Sequence, residues 1–179
     1  MRVIAGSLKG RRLKAPTWDG LRPTSDKLRD TLFNILAPRI AGARVLDGYA
    51  GTGAVVIEAI SRGAAHVTFV ERDRRAQALI ADNLAHCGVA DGYVIIRASV
   101  ARALDDLRGT SFDLALFDPP YGEQADGVLD AAGALLAGDG VVVLEHGRRQ
   151  PSPESAGRLV RTREVTSGDS ALSFYSCPP

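Results

Sequence analysis

From residue 43 to residue 145, short apolar runs alternate with longer segments whose apolar residues recur at helical spacing. Five runs are candidate strands: Ala43–Asp47, His66–Glu71, Tyr93–Arg97, Phe112–Asp118 and Val141–Glu145. Four segments between them are candidate helices: Ala54–Arg62, Arg74–His86, Val100–Leu107 and Gln124–Leu136. Strands that alternate with helices in this way form βαβ units, in which helices cover both faces of a parallel sheet. The pattern predicts a doubly wound α/β fold with a mostly parallel sheet.

Both ends of the chain depart from this alternation. Near the start, glycines separate two short strand-like pieces, Arg2–Ala5 and Arg11–Ala15, which indicates a hairpin or an extended arm. At the other end, Arg158–Val165 and Ser170–Cys177 are joined by a glycine-containing turn and predict a C-terminal antiparallel hairpin. This hairpin would close a sheet of seven strands at one edge.

A helix is predicted between the N-terminal arm and the first strand. Thr24 or Ser25 can cap it, and Leu28, Leu32 and other apolar residues recur at helical spacing. Pro38 is expected to end the helix, because proline disfavours a helical conformation in the residue before it. We therefore predict a small N-terminal extension at 1–38 and a main domain at 39–179.

Composition excludes several classes of protein. The length of 179 residues, with 45% hydrophobic and 24% charged residues, is that of one globular domain. No apolar run approaches the ~20 residues that cross a bilayer, and no secretory signal is visible. Two distant cysteines and three scattered histidines have no metal-ligand spacing, so we predict no metal site and a cytoplasmic location.

The charge is unevenly distributed along the chain, although the net charge is only +1. Residues 1–29 hold eight basic and two acidic side chains, a net charge of +6, which leaves −5 on the rest. A basic end on an acidic body is typical of an arm that binds a polyanion. A solvated charged hairpin would look the same, so charge alone leaves both interpretations open. The candidate RNA contacts are Arg2, Lys9, Arg11, Arg12, Lys14, Arg22 and Arg29.

A glycine-rich turn follows the first predicted strand. Asp47 ends the strand, and Gly51 and Gly53 precede the next helix, where doubly wound sheets bind nucleotides. A dinucleotide fingerprint would require a third glycine at the place of Val56. Instead, Glu71 ends the second strand, where a carboxylate can accept both ribose hydroxyls. This arrangement resembles the S-adenosylmethionine site of Rossmann-like methyltransferases, although a tight turn without a ligand would also explain the glycines.

The fourth predicted strand ends in Asp118-Pro119-Pro120-Tyr121. The motif resembles the loop of methyltransferases that act on planar nitrogens. An exocyclic amine is a poor nucleophile, because its lone pair is delocalised into the ring. The Asp118 carboxylate and the Pro119 carbonyl can accept its N–H groups and direct the lone pair, while prolines stiffen the loop. Tyr121 offers a ring on which a base can stack.

Further blocks extend the resemblance from Arg2 to Tyr175. They are Arg2–Gly6, Lys9–Arg11, Arg22–Thr24, Arg29, Phe33–Leu36, Ile57–Ala64 and Ala171–Tyr175. Together they are similar to the bacterial 16S ribosomal RNA guanine-N2 methyltransferase D (RsmD) family. The resemblance implies methylation of the exocyclic N2 of one guanine in small-subunit rRNA, with S-adenosylmethionine as the cofactor. The expected partner is 16S rRNA or the 30S subunit, with no membrane, and the protein is expected to be a monomer.

The resemblance also implies roles for individual residues. The expected cofactor contacts are Asp47, Tyr49, Gly51, Gly53, Glu71, Arg72, Ser99 and Asp118. The expected catalytic loop is Asp118, Pro119, Pro120 and Tyr121. Two positions depart from the family pattern. Gly48-Tyr49 stands where members commonly have an apolar pair such as Leu-Phe, and Ser99 stands where an acidic or amide residue is common.

Two other functions remain open from the residues alone. A DNA adenine-N6 or protein-glutamine methyltransferase could carry the same loop. The chain has no stretch long enough for a DNA-recognition insertion, and the protein-glutamine enzymes typically have asparagine where Asp118 stands. A non-catalytic RNA-binding module is the third hypothesis, which the intact glycines and loop disfavour.

Overall fold

The computed structural model describes residues 1–21, 23–120 and 122–179. Helices and strands alternate through most of this part of the chain. In order they are α1 (Asp26–Ile40), β1 (Arg44–Asp47), α2 (Ala54–Ser61), β2 (His66–Val70), α3 (Arg74–His86), β3 (Tyr93–Ile96), α4 (Val100–Asp106), β4 (Phe112–Phe117), α5 (Asp126–Gly133), β5 (Leu136–Gly147), β6 (Ser155–Ala156), β7 (Leu159–Ser167) and β8 (Ser170–Ser176). Among the described residues, no helix is long and apolar enough to cross a bilayer.

The strands form one sheet in the order β3-β2-β1-β4-β5-β8-β7-β6. Strands β1 to β5 run parallel to their neighbours, and β8 pairs antiparallel with β5. The direction of the strand order reverses between β1 and β4, where a crevice for ligands opens at the carboxyl ends. The sheet has one strand more than the seven predicted. The additional strand, β6, has only two residues, which is too short to produce a periodic pattern.

Apolar side chains fill both faces of the sheet. Residues of α1, α2 and α3, including Leu36, Ile57 and Leu84, pack with one face. Residues of α4 and α5 pack with the other face. Val45 and Leu46 are adjacent in β1, and their side chains pack on opposite faces of the sheet, as those of successive strand residues do. The predicted doubly wound α/β fold is confirmed.

Helix α1 begins at the predicted place and continues beyond the predicted end. The Ser25 hydroxyl caps it by accepting the Leu28 N–H over 3.2 Å. Pro38 does not end the helix, which reaches Ile40. Proline in the last turn removes one backbone hydrogen bond, and burial of Leu36 and Ile40 on either side of it stabilises this turn. The predicted division at 38/39 falls inside α1 and stays a prediction.

The predicted bounds of α5 and β5 were wrong. Helix α5 is shorter than Gln124–Leu136, and β5 begins at Leu136 rather than at Val141. Leu136 pairs with Phe112 at the start of β4, and an irregularity in register follows before Val141 pairs with Leu114. Because this early pairing depends on the neighbouring strand, the local apolar pattern did not reveal it.

The N-terminal arm is a hairpin with a single antiparallel bridge, between Arg2 and Arg12, rather than two paired strands. Val3 and Leu13 point inward and belong to the core cluster that contains α1 and α2. The carboxylate of Glu58, in α2, accepts the backbone N–H groups of residues 4 and 5 over 2.7 and 2.9 Å. The arm is therefore attached to the α2 side of the molecule.

Candidate active site

A cavity of about 930 Å³ opens at the carboxyl ends of β1, β2, β4 and β5. Its walls come from the glycine-rich turn after β1, the loop after β4, the turn between β7 and β8, and the N-terminal segment around Trp18. The guanidinium of Arg75, in α3, lies 5.0 Å from the centroid of the Trp18 ring, a distance that suits a cation–π contact. The N-terminal segment is thus fixed against the cavity rim.

Gly51 and Gly53 give the turn after β1 its shape. Their φ angles of 54° and 77° lie in the left-handed region, which other residues rarely adopt. A Cβ on Gly51 would lie 3.3 Å from Leu21, and a Cβ on Gly53 would lie 3.2 Å from Ile80. Glycine therefore allows both the turn and the close approach of neighbouring side chains.

Glu71 follows β2 and is held by the backbone. Its Oε2 accepts the Gly51 N–H over 3.0 Å, and its Oε1 accepts the Asp73 N–H over 2.8 Å. These bonds fix the carboxylate at the cavity wall and leave further lone pairs on both oxygens. Arg72, next to it, is exposed and lines the same cavity.

Asp47, the last residue of β1, is buried and lines the cavity. Burial raises the pKa of Asp47 to about 7, and the nearby charges of Asp118 and Glu71 act in the same direction. The Tyr49 N–H donates to its Oδ1 over 3.1 Å and partly offsets this effect. A cation bound in the cavity would favour the ionised form of Asp47.

Asp118 directly follows β4 and is exposed at the cavity wall. Pro119 and Pro120 continue this wall. The predicted stacking residue, Tyr121, lies outside the described residues. The structure thus brings Asp118 to the same cavity as Asp47 and Glu71. These two residues lie at the ends of β1 and β2, which are distant in sequence from β4.

The sequence analysis missed Glu145, near the end of β5. The Thr24 hydroxyl donates to its Oε2 over 3.3 Å, and the nearby Ser170 hydroxyl acts with it to lower the pKa of the carboxyl. Burial raises the pKa of Glu145 to about 7, and the charge of Asp118 adds to this shift. The available signal was its position, since ligands bind at the carboxyl ends of parallel strands.

Tyr49 and Ser99 line the cavity, and each has a local partner. The Tyr49 hydroxyl donates to Glu123 Oε1 over 2.5 Å. Burial, followed by this hydrogen bond, raises the pKa of Tyr49. Ser99 caps α4 by accepting the Arg102 N–H over 3.4 Å, so its hydroxyl hydrogen remains able to donate to a ligand.

Five predicted RNA contacts of the arm have exposed side chains: Arg2, Lys9, Arg11, Arg12 and Lys14. Lys14 forms an exposed ion pair with Asp82, with 3.0 Å between Nζ and Oδ2. Exposed pairs of this kind contribute little to stability, so Lys14 can exchange Asp82 for another anion. Arg22 lies outside the described residues.

Arg29 is not on the surface, and its prediction as an RNA contact was wrong for this conformation. Its side chain is fully buried in α1, and its Nη2 donates to the Arg2 carbonyl and to Asp26 over 2.6 and 2.8 Å. Burial lowers the pKa of Arg29, and Nε and Nη1 have no hydrogen-bond partner among the described residues. A count of charges along the sequence cannot distinguish such a residue from an exposed one.

Comparison with known proteins identifies the family. The model of the family described as Conserved hypothetical protein 95 matches residues 1–176. The chain belongs to this family, the RsmD family of methyltransferases. The YlbH protein of Bacillus subtilis (strain 168) is 41% identical over 180 residues, which are 98% of each chain. Ribosomal RNA small subunit methyltransferase D of Escherichia coli (strain K12) is 35% identical over 179 residues, covering 98% of this chain and 89% of that protein.

A solved structure agrees with this membership of the RsmD family. The yhhF protein of Escherichia coli superimposes with a TM-score of 0.86 at 33% identity, over 99% of this chain and 97% of that one. The predicted Rossmann-like methyltransferase fold is therefore confirmed. The methyltransferase name of the Escherichia coli relative agrees with the predicted cofactor, S-adenosylmethionine.

The cavity of this RsmD-family member suits that cofactor. S-adenosylmethionine carries a sulfonium and an ammonium. Burial, and then the charges of neighbouring carboxylates, raise the pKa values of Asp47 and Glu145, and a cation beside these groups would favour their ionised forms. The fixed carboxylate of Glu71 can accept hydrogen bonds from a ribose. A pyrophosphate would be repelled by the same carboxylates, which disfavours a dinucleotide.

Proposed function

We propose that this chain transfers a methyl group from S-adenosylmethionine to the exocyclic N2 of a guanine in small-subunit ribosomal RNA. The observation that carries this proposal is the position of Asp118, which ends β4 at the cavity that Asp47 and Glu71 also line. The name of the Escherichia coli relative supports small-subunit rRNA as the substrate. The loop chemistry and the family resemblance support the guanine amine as the acceptor.

The proposed cofactor contacts follow from the walls of the cavity. Glu71 accepts hydrogen bonds from the ribose hydroxyls, and Asp47 faces the positive groups of the cofactor. Gly51 lines the cavity and is proposed to contact the cofactor through its backbone, and Gly53, whose φ of 77° shapes the same turn, is proposed as the neighbouring contact although it is not among the lining residues. The remaining contacts are proposed for Tyr49, Arg72, Ser99 and Asp118, which line the same cavity.

Asp118 and the prolines after it orient the acceptor amine. When bound, the cofactor supplies an electrophilic methyl group on a positively charged sulfur. The Asp118 carboxylate and the Pro119 carbonyl accept the two amine hydrogens, so that the nitrogen lone pair faces the methyl group. Asp118 then accepts the proton that the nitrogen releases as its bond to carbon forms. Such positioning can supply a large part of the rate enhancement.

The exposed basic side chains of the arm are proposed to hold the RNA phosphates. The remainder of the chain is acidic, with a net charge of −5 beyond residue 29, and would repel RNA. A structured guanine must also leave its stack to reach Asp118, which costs a few kcal/mol. Phosphate contacts by Arg2, Lys9, Arg11 and Arg12 would offset both effects.

Transfer of a labelled methyl group tests this function. Purified protein is incubated with 30S subunits that lack the modification and, in parallel, with protein-free 16S rRNA, and the nucleosides are then analysed by mass spectrometry. We expect N2-methylguanosine at one position. N6-methyladenosine, or label in ribosomal protein, would show that the acceptor is wrong. Asp91→Ala is the matched control, because Asp91 is exposed just before the amino end of β3.

A further inference from the structure

We propose that Glu145 accepts the N1–H of the target guanine while Asp118 accepts from the N2 amine. Glu145 would then select guanine against purines that have no hydrogen on N1. This inference rests on the proposed function, because it assigns the recognition of the base at the same site.

The sheet register places the two carboxylates side by side. Phe117 of β4 pairs with Leu144 of β5, so the next residues, Asp118 and Glu145, are neighbours where these strands reach the cavity. Asp118 follows the last paired residue of β4, and neighbouring strands lie about 4.8 Å apart. Both carboxylates line the cavity, and each affects the other electrostatically. Two acceptors on neighbouring strand ends can serve two adjacent donors on one edge of a purine.

Glu145 is held in position from two directions. The Thr24 hydroxyl approaches from the segment before α1, and the Ser170 hydroxyl approaches from the start of β8. The Thr24 hydroxyl donates, so it helps to keep the carboxylate in place without using all of its lone pairs. Burial raises the pKa of Glu145, and repulsion from the charge of Asp118 adds to this shift. A donor from the substrate would relieve this repulsion.

The donor pattern of guanine fits this pair. Guanine presents the N1–H and the N2 amine next to each other, whereas 2-aminopurine keeps the amine but has only a lone pair on N1. The half-buried Glu145 carboxylate, facing that lone pair, would have no hydrogen to accept. Sites built to hydrogen-bond a substrate N–H reject analogues that lack it by large factors, so we expect about 100-fold or more.

The test compares the two bases at the methylated position. After that position is identified, 16S rRNA is assembled by ligation with either guanine or 2-aminopurine there. Single-turnover methyl transfer is measured at pH 8.5, where the Glu145 carboxyl is ionised, with the wild type, Glu145→Gln and Glu145→Asp. Glu154→Gln is the matched control, because Glu154 is an exposed glutamate outside the cavity lining. Binding of S-adenosylmethionine and thermal unfolding report whether each variant is folded.

We expect the wild type, the Glu154→Gln control and Glu145→Asp to prefer guanine by about 100-fold. Glu145→Gln should lower this preference to about tenfold or less, since its amide can donate to the N1 lone pair. A wild type that methylates both bases equally would overturn the inference, even if no Glu145 variant folded. An unchanged preference in a folded Glu145→Gln would also overturn it and leave the proposed function intact. Absence of N2-methylguanosine with the wild type would instead contradict the proposed function.

Discussion

The backbone N–H of Gly51 donates to Oε2 of Glu71 over 3.0 Å. This bond joins the turn after β1 to the end of β2, so the two sides of the proposed cofactor site hold each other in place. The other carboxylate oxygen accepts the N–H of Asp73, before α3. The carboxylate therefore does not have to be ordered when the cofactor binds, which lowers the entropic cost of binding.

Replacement of Glu71 by alanine is expected to weaken S-adenosylmethionine binding. Charge-assisted hydrogen bonds to the ribose contribute roughly 1.5–3 kcal/mol, which corresponds to about 10- to 150-fold in Kd. Isothermal titration calorimetry measures Kd, and the methyl-transfer rate should recover at high cofactor concentration. Glu154→Ala serves as the control. An unchanged Kd would show that Glu71 does not contact the cofactor.

Asp118→Ala is expected to slow methyl transfer far more than it weakens S-adenosylmethionine binding. Methyl transfer should fall by at least about 100-fold, because the amine loses its acceptor, while Kd for S-adenosylmethionine changes by less than about threefold, because Asp118 is only one of several proposed cofactor contacts. Single-turnover rates and calorimetry on the same preparation separate the two effects, with Asp91→Ala as the control. If binding fell as much as the rate, Asp118 would be a cofactor contact only.

Binding of S-adenosylmethionine is expected to strengthen as the pH rises towards 7. The pKa values of Asp47 and Glu145 are both about 7, so these groups are mostly protonated at pH 5.5, and a cationic ligand favours their ionised forms. Loss of one proton on binding corresponds to about a tenfold change in Kd per pH unit. The gain should level off above pH 7.

S-adenosylhomocysteine has no sulfonium and provides the comparison. Its Kd should change less over pH 5.5–8.5, and parallel profiles for the two ligands would contradict the electrostatic role of these carboxyls.

Without ligand, the stability of the fold should decrease as the pH rises, and urea denaturation over the same pH range measures this. Because folding raises both pKa values, the folded state holds protons that the unfolded chain releases, and the free energy of unfolding falls as the pH rises from about 4 to 7.

The arm can be tested through the salt dependence of RNA binding. If Lys9, Arg11, Arg12 and Lys14 contact phosphates, their replacement by alanine should flatten the log–log salt slope by about 3 units. Filter binding across a salt series measures this slope, and circular dichroism checks folding. A variant with four exposed arginines replaced elsewhere is the control: Arg44, Arg97, Arg102 and Arg108. Equal slopes for the arm variant and the wild type would show that these four side chains are solvated and do not contact RNA phosphates.

A side chain at Gly48 is expected to destabilise the fold. A Cβ at this position would overlap the Phe117 ring. We expect Gly48→Ala to lower the free energy of unfolding by about 1–3 kcal/mol, the usual range for overpacking. Gly127→Ala is the control, because nothing lies within 4 Å of a Cβ there and alanine favours the helix. Urea denaturation that ranks the two variants in reverse order would contradict this packing.

The amino-acid sequence by itself determined the doubly wound fold and the place of the cavity. Apolar runs, glycines and prolines act through local backbone preferences and periodic burial, so their effects can be predicted without knowing which strands are neighbours. Asp47 and Glu71 were predicted as site residues because each ends a recognisable strand. The Asp118 loop was predicted in the same way, and all three line one cavity.

Tertiary structure alone decided three other features. Glu145 reaches the cavity beside Asp118 because β5 pairs with β4, and no local pattern contains that pairing. Arg29 is buried because α1 packs with its charged side chain towards the core. Helix α1 passes Pro38 and ends at Ile40, whose side chain is buried in the core, and this burial favours the last turn. In each case the deciding free energy comes from residues distant in sequence, which local propensity does not include.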